Sequence, residues 1–545
     1  RGCSNAWRGA PARQPRPQYP SVSRPSRDLL CCYMRKPNHS RSPTPLVLDG
    51  APLKVTELVD AASGPAPRAV LGETAAARIA QARTALLEAG AEGQGIYGLT
   101  TGVGAHASPA TAEAMDGFGL RVMTAHATEI AATPEPLAYA RAALILWVNQ
   151  AGTAQGGLPG VSVALVAALL AWVNDDDATP PRLDSMESTD PGFGALVVNC
   201  QLALHVLAER QMPCREGECL PLMSHNNLLL GRLAFLCLEL ERLASVGAAT
   251  AALSLAAFEG NTAVYEDACR WEAASRFDAA AAAAIASWTR ADIRWTPRRM
   301  QDPLDLRCAA TALGALLRAL QASEGLSATV SRYSAHAQCN PVVLPDGRGG
   351  FHVGTAVGFD ALPLRASLDA VLGALGEICN RSYSRVGTLA NPSLNGGLPC
   401  GLHNGSSHGG VHNRNLLVIA AATAHQAAAA ASLRLAGSRP TAADGVECVG
   451  AFAASAAAAV GATVRACRTL HAIEATVAMA ALGVRSPATT LTPHLSALAV
   501  EMAPSLATYY DPTARFRLGE VAERLEAAVE AASPGGQLTA SAATA

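Results

Sequence analysis

Tyr97 begins a short segment whose residue types could carry chemistry. The segment reads Tyr97-Gly98-Leu99-Thr100-Thr101-Gly102-Val103-Gly104, with three glycines among its eight residues. Glycine permits tight turns, so such a loop can present a phenol to a ligand while the rest of the loop folds over it. The alternative is a plain turn that contains a half-buried tyrosine.

The Tyr97 segment resembles the Tyr-Gly-x-x-Thr-Gly-x-Gly signature of the aromatic amino acid lyases, in which this tyrosine is the catalytic base. The family includes the histidine, phenylalanine and tyrosine ammonia-lyases. Further segments resemble its motifs in the same order, within residues 46 to 500: residues 301–308 (QDPLDLRC) are similar to Gln-Asp-Pro-Tyr-Ser-Leu-Arg-Cys, Asn340-Pro341 to Asp-Asn-Pro, and Gly350-Phe351-His352 to Gly-Asn-Phe-His. Four matches in order favour membership of this family.

The resemblance implies a role for each matching side chain. The Arg307 guanidinium would clamp a substrate carboxylate, a pairing that suits its bidentate fork. Gln301 and Asn340 would orient that carboxylate. His126 stands where the histidine-type enzymes carry a substrate-facing histidine, and with Phe351 it would face an aromatic or imidazole ring. For each polar residue alone, a surface or helix-capping role is the alternative.

The segment that should form the family's prosthetic group departs from the pattern. The family cyclises an internal Ala-Ser-Gly to a methylidene-imidazolone: the glycine nitrogen attacks the alanine carbonyl, and the serine then loses water. Without a gap, the triad falls on Thr189-Asp190-Pro191, where proline has no N–H and aspartate cannot dehydrate to a methylidene. Shifted by one residue, it falls on Ser188-Thr189-Asp190, where a branched residue replaces glycine. We therefore expect no methylidene-imidazolone, and we treat Ala62-Ser63-Gly64, upstream of Tyr97, as a coincidence.

Other positions that support the electrophile in the family differ as well. Leu304 replaces a second catalytic tyrosine, Ser224-His225-Asn226 stands at the family's Asn-Gly-Thr, and Asp444-Gly445-Val446-Glu447 lies near its Asn-Gln-Glu-Asp cluster. We expect Ser224 and Asn226 to contact the substrate, and Asp190 or Glu447 to accept a cationic head group, although no aromatic cage is evident. The positions that hold the electrophile in the family all differ in this sequence. Some of the positions that would bind an amino-acid-like substrate keep the family's residue.

A glycine-rich run, residues 395–415, contains His403, His408 and His412. His408 and His412 are four residues apart, yet Gly409-Gly410 between them disfavours a helix, and the run contains no Asp or Glu. We therefore expect no metal site, and we interpret the run as a rim loop of the active site.

Composition excludes two classes of function. Lys and Arg total 42 against 44 Asp and Glu, and charged residues are 16% of the chain. The sequence therefore has no excess of positive charge of the kind that binds nucleic acid. The longest apolar runs are short or interrupted, which disfavours a membrane span. The 14 cysteines show no CxxC pair, so reduced thiols are expected. We expect a cytoplasmic protein, although the Arg- and Ser-rich N-terminal segment leaves organellar targeting open.

The elements that must position these residues are helices, because alanine has the best helix propensity and dominates the hydrophobic residues. We predict an all-α fold, and the resemblance implies a long central bundle of the fumarase/aspartase-like ammonia-lyase type. The predicted helices are 74–89 (ending at Gly90), 135–149, 161–174, 199–210, 228–257, 309–327, 364–384, 415–435 and 449–482. The predicted division is a disordered or transit-like tail (1–45), an N-terminal part with the Tyr97 loop (46–260), a central and C-terminal bundle (261–533) and a flexible tail (534–545).

The resemblance and the missing triad together predict a carbon–nitrogen lyase. Ammonia is a poor leaving group and the β-proton of an amino acid is weakly acidic, so ordinary members of the family need an electrophile. Without one, the pocket could expel a better leaving group, as ergothionase expels trimethylamine from a thiol-substituted histidine betaine. We predict elimination of an amine from a histidine-like amino acid or betaine by a D2 homotetramer with shared active sites. An ordinary ammonia-lyase and a non-catalytic oligomer are the alternatives.

Overall fold

The structure, a computed structural model, describes residues 44–108, 115, 117–154, 157–192, 194–268, 275–289, 297–402, 415–432, 448–485, 491–511 and 513–533. These residues belong to the unit Ser42–Ala545. Glu447 and the three histidines of the glycine-rich run lie outside the described residues.

Helices make up most of the described chain, and the short strands are arranged in pairs. The helices are α1 (Val55–Ser63), α2 (Glu73–Ala91), α3 (Phe118–His126), α4 (Leu137–Ala151), α5 (Val163–Val173), α6 (Met186–Thr189), α7 (Leu196–Glu209), α8 (Cys219–Met223), α9 (Asn227–Phe258), α10 (Ala263–Ala268), α11 (Arg276–Thr289), α12 (Leu304–Arg307), α13 (Ala309–Gln321), α14 (Leu326–Tyr333), α15 (Leu362–Ala390), α16 (Leu416–Ser432), α17 (Ala453–Val484), α18 (Pro493–Tyr510) and α19 (Leu518–Ala532). The strands are β1 (Leu46–Leu48) parallel to β2 (Ala69–Leu71), β3 (Thr133–Pro134) antiparallel to β4 (Arg182–Leu183), and β5 (Val342–Pro345) antiparallel to β6 (Phe351–Gly354).

Three long helices form the centre of the bundle. Helices α9, α15 and α17 contain 32, 29 and 32 residues and pack against one another. Residues 243–258 of α9 are all buried, and many of them are alanines. Small side chains let helix axes approach closely, and a helix that is buried on every face must be apolar all round. The alanines of the sequence therefore lie at the helix contacts, where their small side chains allow several helices to pack around α9.

Most predicted helices are confirmed with ends shifted by a few residues, and the all-α fold class is confirmed. The predicted stop at Gly90 is wrong, because α2 continues to Ala91 and the left-handed glycine that ends it is Gly93, with φ +88°. The Gly93 N–H donates to the Gly90 carbonyl oxygen at 3.1 Å, which closes the last turn. Ala62 and Ser63 of the upstream Ala-Ser-Gly sequence lie in the last turn of α1.

The single helix predicted over 309–327 is also wrong. Helix α13 ends at Gln321, Ala322 is extended, and α14 begins at Leu326. At Gly325 a Cβ would lie 2.6 Å from the carbonyl oxygen of Leu320, so the turn requires a residue without a side chain. Within the described ranges, no helix is both long and apolar enough to cross a membrane.

Candidate active site

Tyr97 lies in a tight loop between α2 and the 3₁₀ turn Gly104–His106. Its phenol oxygen accepts a hydrogen bond from the Gly104 backbone N–H at 2.7 Å, and the side chain is half-buried. Gly98 has φ +73°, and a Cβ there would lie 2.2 Å from Cδ1 of Leu220 in α8. Gly98 therefore allows the loop to pack closely against α8.

His126 and Phe351 lie on the elements around this loop. His126 is half-buried at the end of α3, and its Nδ1 lies 2.8 Å from the carbonyl oxygen of Val122. Helix α3 packs against α7 and α8. Phe351 begins β6 and packs against a small apolar cluster that includes Ile96, the residue before Tyr97. Both side chains are thus held near the Tyr97 loop by the surrounding elements.

Residues 188–191, where we predict the family's triad to fall, form a helical turn and its end. The Thr189 hydroxyl donates to the Ser185 carbonyl oxygen at 2.9 Å. The Asp190 N–H donates to the Met186 carbonyl oxygen at 2.8 Å, and the buried Asp190 carboxylate accepts a hydrogen bond from the Gly192 N–H at 2.7 Å. The groups that would have to react in a cyclisation are therefore held by local hydrogen bonds.

Two glycines after this turn allow the backbone to pass close to neighbouring segments. Gly192 has φ +113°, and a Cβ there would lie 2.4 Å from the backbone nitrogen of Ala451. Gly194 has φ +92°, and its carbonyl oxygen accepts a hydrogen bond from the His225 N–H at 3.0 Å. The segment is therefore clamped between the start of α17 and the turn that precedes α9.

A buried network of amide side chains fixes that turn. Nδ2 of Asn199 donates to the carbonyl oxygens of residues 194, 223 and 225 at 2.8, 3.0 and 2.7 Å. Nδ2 of Asn226 donates to Oε1 of Gln338 at 3.0 Å, and Nε2 of Gln338 donates to Oδ1 of Asn227 at 2.9 Å. The Oδ1 atoms of Asn199 and Asn226 are buried and have no hydrogen-bond partner within the described structure.

His225, at the family's Asn-Gly-Thr position, is neutral in this network. Burial lowers its pKa to about 3. Its Nδ1 accepts a hydrogen bond from the Asn227 N–H at 3.2 Å, so Nε2 carries the proton and donates to the Leu222 carbonyl oxygen at 3.1 Å. The ring therefore acts as a fixed structural link between α8 and α9. Ser224, one residue earlier, is half-buried between these helices.

Asn340 belongs to the same region of the fold. It precedes Pro341, which begins the approach to β5, and its Oδ1 accepts a hydrogen bond from the Ala356 N–H. Its neighbour Gln338 is the partner of Asn226. The elements that carry these residues meet around the N-terminal end of α9. We call the following group the tyrosine cluster: Tyr97, His126, Asp190, Ser224, Asn226 and Asn340.

Gln301 and Arg307 form a second group. Nη1 of Arg307, at the end of α12, donates to Oε1 of Gln301 at 3.3 Å. Asp302 is buried, and its carboxylate accepts a hydrogen bond from the Asn261 N–H at 2.6 Å, just beyond the C-terminal end of α9. Leu304, where the family has its second tyrosine, is 65% exposed. We call Gln301 and Arg307 the arginine cluster.

The two clusters lie at opposite ends of α9. The tyrosine cluster surrounds Asn226, which precedes the helix, and the arginine cluster is tied to Asn261, which follows it. At 1.5 Å per residue, this 32-residue helix is about 48 Å long. The structure therefore brings the predicted residues together in two sets but does not bring the two sets together within one chain.

Three further amides of this region, Asn199, Asn227 and Gln338, are not predicted by the sequence motifs. Each is an amide on a buried face, and the visible signal was a polar residue at an apolar position of a predicted helix or beside a motif. Glu447 and the His403, His408 and His412 loop lie outside the described residues. Within the described ranges, no group of three His, Cys, Asp or Glu side chains is arranged to hold a metal ion.

Sequence comparison defines the class of protein. The pattern of the aromatic amino acid lyase family matches residues 53–180 and 193–503. The chain belongs to the aromatic amino acid lyase family, and the resemblance noted in its motifs is confirmed.

The chain is similar to several named members of this family. Histidine ammonia-lyases from Geobacillus thermodenitrificans and Geobacillus kaustophilus are each 27% identical to it, over 59% and 56% of this chain and 66% and 63% of theirs. The matches thus span just under two thirds of the length of these relatives.

Solved structures share the fold. Ergothionase from Treponema denticola, described as an ergothioneine-degrading enzyme, superposes with a TM-score of 0.76 at 18% identity, covering 90% of this chain and all of its own. Histidine ammonia-lyase from Trypanosoma cruzi superposes with a TM-score of 0.73 at 18% identity, covering 90% of this chain and 94% of its own. At these identities the likeness establishes the helical-bundle fold.

Proposed function

We propose that the protein is a carbon–nitrogen lyase that eliminates an amine from a histidine-like amino acid or betaine without a methylidene-imidazolone. The observation that carries this proposal is the contrast within the tyrosine cluster. Tyr97 keeps a backbone donor to its phenol oxygen, whereas residues 188–191 form a hydrogen-bonded turn built from residues that cannot cyclise.

The residues present do not fit the prosthetic group of the family. In one register the attacking nitrogen would belong to Pro191, which has no N–H to lose. In the other it would be the Asp190 nitrogen, whose N–H is bonded to the Met186 carbonyl oxygen in a helical turn. The chemistry proposed for this chain therefore relies on its own side chains.

A quaternary ammonium is the leaving group that suits such a site. Tyr97, as phenolate, would take the β-proton, and the C–H electron pair would form the new double bond. The carbon–nitrogen bond would break with its electron pair on nitrogen, so that a neutral tertiary amine departs without a proton. The products would be a conjugated acrylate, the amine and a protonated Tyr97. His126 and Phe351 would face the ring of the substrate.

A complete site would require more than one copy of the chain. Arg307 and Gln301 would bind the substrate carboxylate, yet they lie about 48 Å along α9 from the tyrosine cluster. Two copies with antiparallel α9 helices would place the arginine cluster of one beside the tyrosine cluster of the other. Exposed Val418 and Ile419 on the apolar helix α16 also favour packing against a second copy. We propose a homotetramer of D2 symmetry.

The buried carboxylate of Asp190 is the described candidate for the cationic head group. One of its oxygens is already bonded to the Gly192 N–H, so the attraction would act through charge rather than through a new hydrogen bond. The other candidate, Glu447, remains a prediction from the sequence.

The test is incubation of the purified protein with histidine, phenylalanine, tyrosine and ergothioneine in separate reactions. The ultraviolet rise of a conjugated acrylate and the amine released are both followed. We expect acrylate and trimethylamine from ergothioneine, abolished by Tyr97→Phe and retained by Tyr383→Phe, which removes the hydroxyl of a tyrosine on the surface of α15.

An ordinary ammonia-lyase is the second candidate, favoured by the histidine ammonia-lyases among the relatives. Release of ammonia from histidine would support it and would mean that an electrophile forms in spite of residues 188–191. Turnover of none of the four substrates would contradict both candidates and favour a non-catalytic oligomer.

A further inference from the structure

Asp184 is a buried carboxylate that holds an exposed loop. It follows β4, and its side chain belongs to a residue that is only 3% exposed. Its Oδ1 accepts a hydrogen bond from the Ala131 N–H at 2.6 Å, and its Oδ2 accepts one from the Ile130 N–H at 3.0 Å. Both donors belong to residues 127–132, the irregular segment between His126 and β3, which we call the His126 loop.

Gln201, in the first half of α7, binds both Asp184 and the same loop. Its Nε2 donates to Oδ2 of Asp184 at 2.8 Å and to the Thr128 carbonyl oxygen at 3.2 Å. Its Oε1 accepts a hydrogen bond from the Asp184 N–H at 2.9 Å, and the residue is 8% exposed. The two side chains together therefore hold the His126 loop by backbone groups of residues 128, 130 and 131.

Apolar packing contributes little to holding this loop. Residues 128–131 are all exposed, Ile130 by 68%, so little apolar surface is buried there. Burial alone would raise the pKa of Asp184, but the hydrogen bonds from Ala131, Gln201 and Ile130 outweigh it and keep the pKa below its ordinary value. The carboxylate is therefore ionised at neutral pH, and hydrogen bonds to an ionised acceptor are the stronger kind.

The loop joins two parts of the candidate site. His126 immediately precedes it, and the Nδ1 of this ring lies 2.8 Å from the Val122 carbonyl oxygen. Since a carbonyl oxygen only accepts, Nδ1 carries the proton, and Nε2 of the neutral ring is an acceptor. Asp184 also lies six residues before Asp190, on the other side of α6. It therefore ties the His126 loop to the segment that ends at Asp190.

We propose that Asp184 and Gln201 are positioning residues that set the place of the His126 ring against the substrate. This inference rests on the proposed lyase function, in which His126 faces the ring of the substrate. A shift of the loop backbone would move the end of α3, and the imidazole with it. A contact to the substrate ring touches neither the proton that is removed nor the bond that breaks, so its loss raises KM and leaves kcat.

The first test is steady-state kinetics of the whole protein with ergothioneine. Asp184→Ala should raise KM about tenfold and keep kcat. Gln201→Glu should also raise KM, because it places a second carboxylate beside Asp184. Adding Asp184→Asn to Gln201→Glu restores an amide–carboxylate pair with the roles exchanged, so the double variant should recover part of this loss. A double variant with a higher KM than Gln201→Glu alone would overturn the proposal.

Glu209→Gln is the matched control. Glu209 ends α7, and its carboxylate accepts hydrogen bonds from Trp172 at 2.6 Å and from Thr179. The substitution should therefore lower the Tm without changing KM. A purely structural role of Asp184 would have the same signature in Asp184→Ala: a smaller folded fraction and a lower apparent kcat at unchanged KM. That result would overturn the positioning role.

The second test does not require turnover. Mass spectrometry follows deuterium exchange at the backbone amides of residues 127–132 and the slow exchange at Cε1 of His126. Asp184→Ala should speed amide exchange in the loop about tenfold and change the rate at His126, whereas Glu209→Gln should change neither. Unchanged exchange in Asp184→Ala would overturn the proposal even in an active lyase. Changed exchange in a protein that turns over no substrate would support the positioning of His126 and contradict the lyase function alone.

Discussion

Breaking the ion pair between Arg385 and Glu474 on one side should be among the most destabilising single changes in the bundle. Nε and Nη2 of Arg385 donate to the two carboxylate oxygens at 2.6 and 2.9 Å. The side chains are 4% and 0% exposed, and Ser254 and Ser382 each donate to the carboxylate at 2.6 Å. The pair joins α15 to α17 in the centre of the fold.

The informative perturbation is Glu474→Gln, which keeps the shape of the side chain and removes its charge. Arg385 would then remain buried without a counter-ion, and removing one partner of a buried pair costs about 3–5 kcal/mol. Replacing both partners, as in Arg385→Met with Glu474→Leu, should recover most of this loss. The double variant leaves no buried charge, and Ser254 and Ser382 can donate to carbonyls of their own helices.

The assay is urea-induced unfolding followed by tryptophan fluorescence, with free energies of unfolding taken from the midpoint and slope. Glu530→Gln, on an exposed position of α19, is the matched control and should change the free energy of unfolding by less than about 0.5 kcal/mol. A loss below about 1 kcal/mol for Glu474→Gln would refute the reasoning. A double variant that is less stable than the single variant would refute it too.

The pH dependence of the same pair has a definite sign. Burial alone would raise the pKa of Glu474, but the charge of Arg385 and the hydrogen bonds outweigh it, so the pKa lies below its ordinary value of 4.5. A carboxyl with a depressed pKa in the folded state contributes stability above its unfolded pKa and loses it as the pH falls. The difference between wild type and Glu474→Gln should therefore be full at pH 7 and shrink below about pH 4.5. A difference that grows towards acid pH would contradict this assignment.

Three further substitutions test the two clusters. Gly192→Ala, at φ +113° with a Cβ 2.4 Å from a neighbouring backbone nitrogen, should cost about 3 kcal/mol or more in urea unfolding, whereas Gly347→Ala, at φ +72° in open space, should cost about 1 kcal/mol. Asn199→Leu removes the donor to three carbonyl oxygens and should lower the free energy of unfolding by about 2–4 kcal/mol. Thr388→Val removes the hydrogen bond to the Asp305 carboxylate at 2.8 Å, which fixes the turn of the arginine cluster, and should raise KM for the proposed substrate about fivefold while kcat is kept. An unchanged KM would show that this contact does not position the turn.

The fold class and the long helices could be predicted because alanine-rich segments carry few competing signals. The errors arose where a glycine had two possible roles. The sequence predicts that α2 ends at Gly90, although the left-handed residue is Gly93. It also predicts a helix that continues through Gly325, where the close approach to Leu320 interrupts it. Propensity indicates that a glycine weakens a helix, but only the tertiary structure decides which glycine ends it.

The site was predictable in its parts but not in its arrangement. The Tyr97 loop and the Arg307 turn both stand out in the sequence, and the resemblance implies active sites shared between subunits, so the two groups need not lie together within one chain. The 30-residue helix predicted between them already implied a separation of about 45 Å. By contrast, the amides of Asn199 and Gln338 could not be found from spacing, because their partners are backbone carbonyls and amides brought together by folding.

The predicted differences from the family in the two clusters fit one change in chemistry. An amino group leaves more easily when it is protonated, and Leu304, where we predict the family's second catalytic tyrosine to fall, is exposed and has no hydroxyl that could supply a proton. A quaternary ammonium leaves as a neutral amine and needs neither that proton nor an electrophile to activate it. Tyr97, which must only accept a proton, is the one element that such an elimination still requires, and its phenol oxygen keeps the Gly104 N–H donor. If the cyclising triad and the second tyrosine are both missing, as we predict, the combination favours a changed leaving group over a random loss of function.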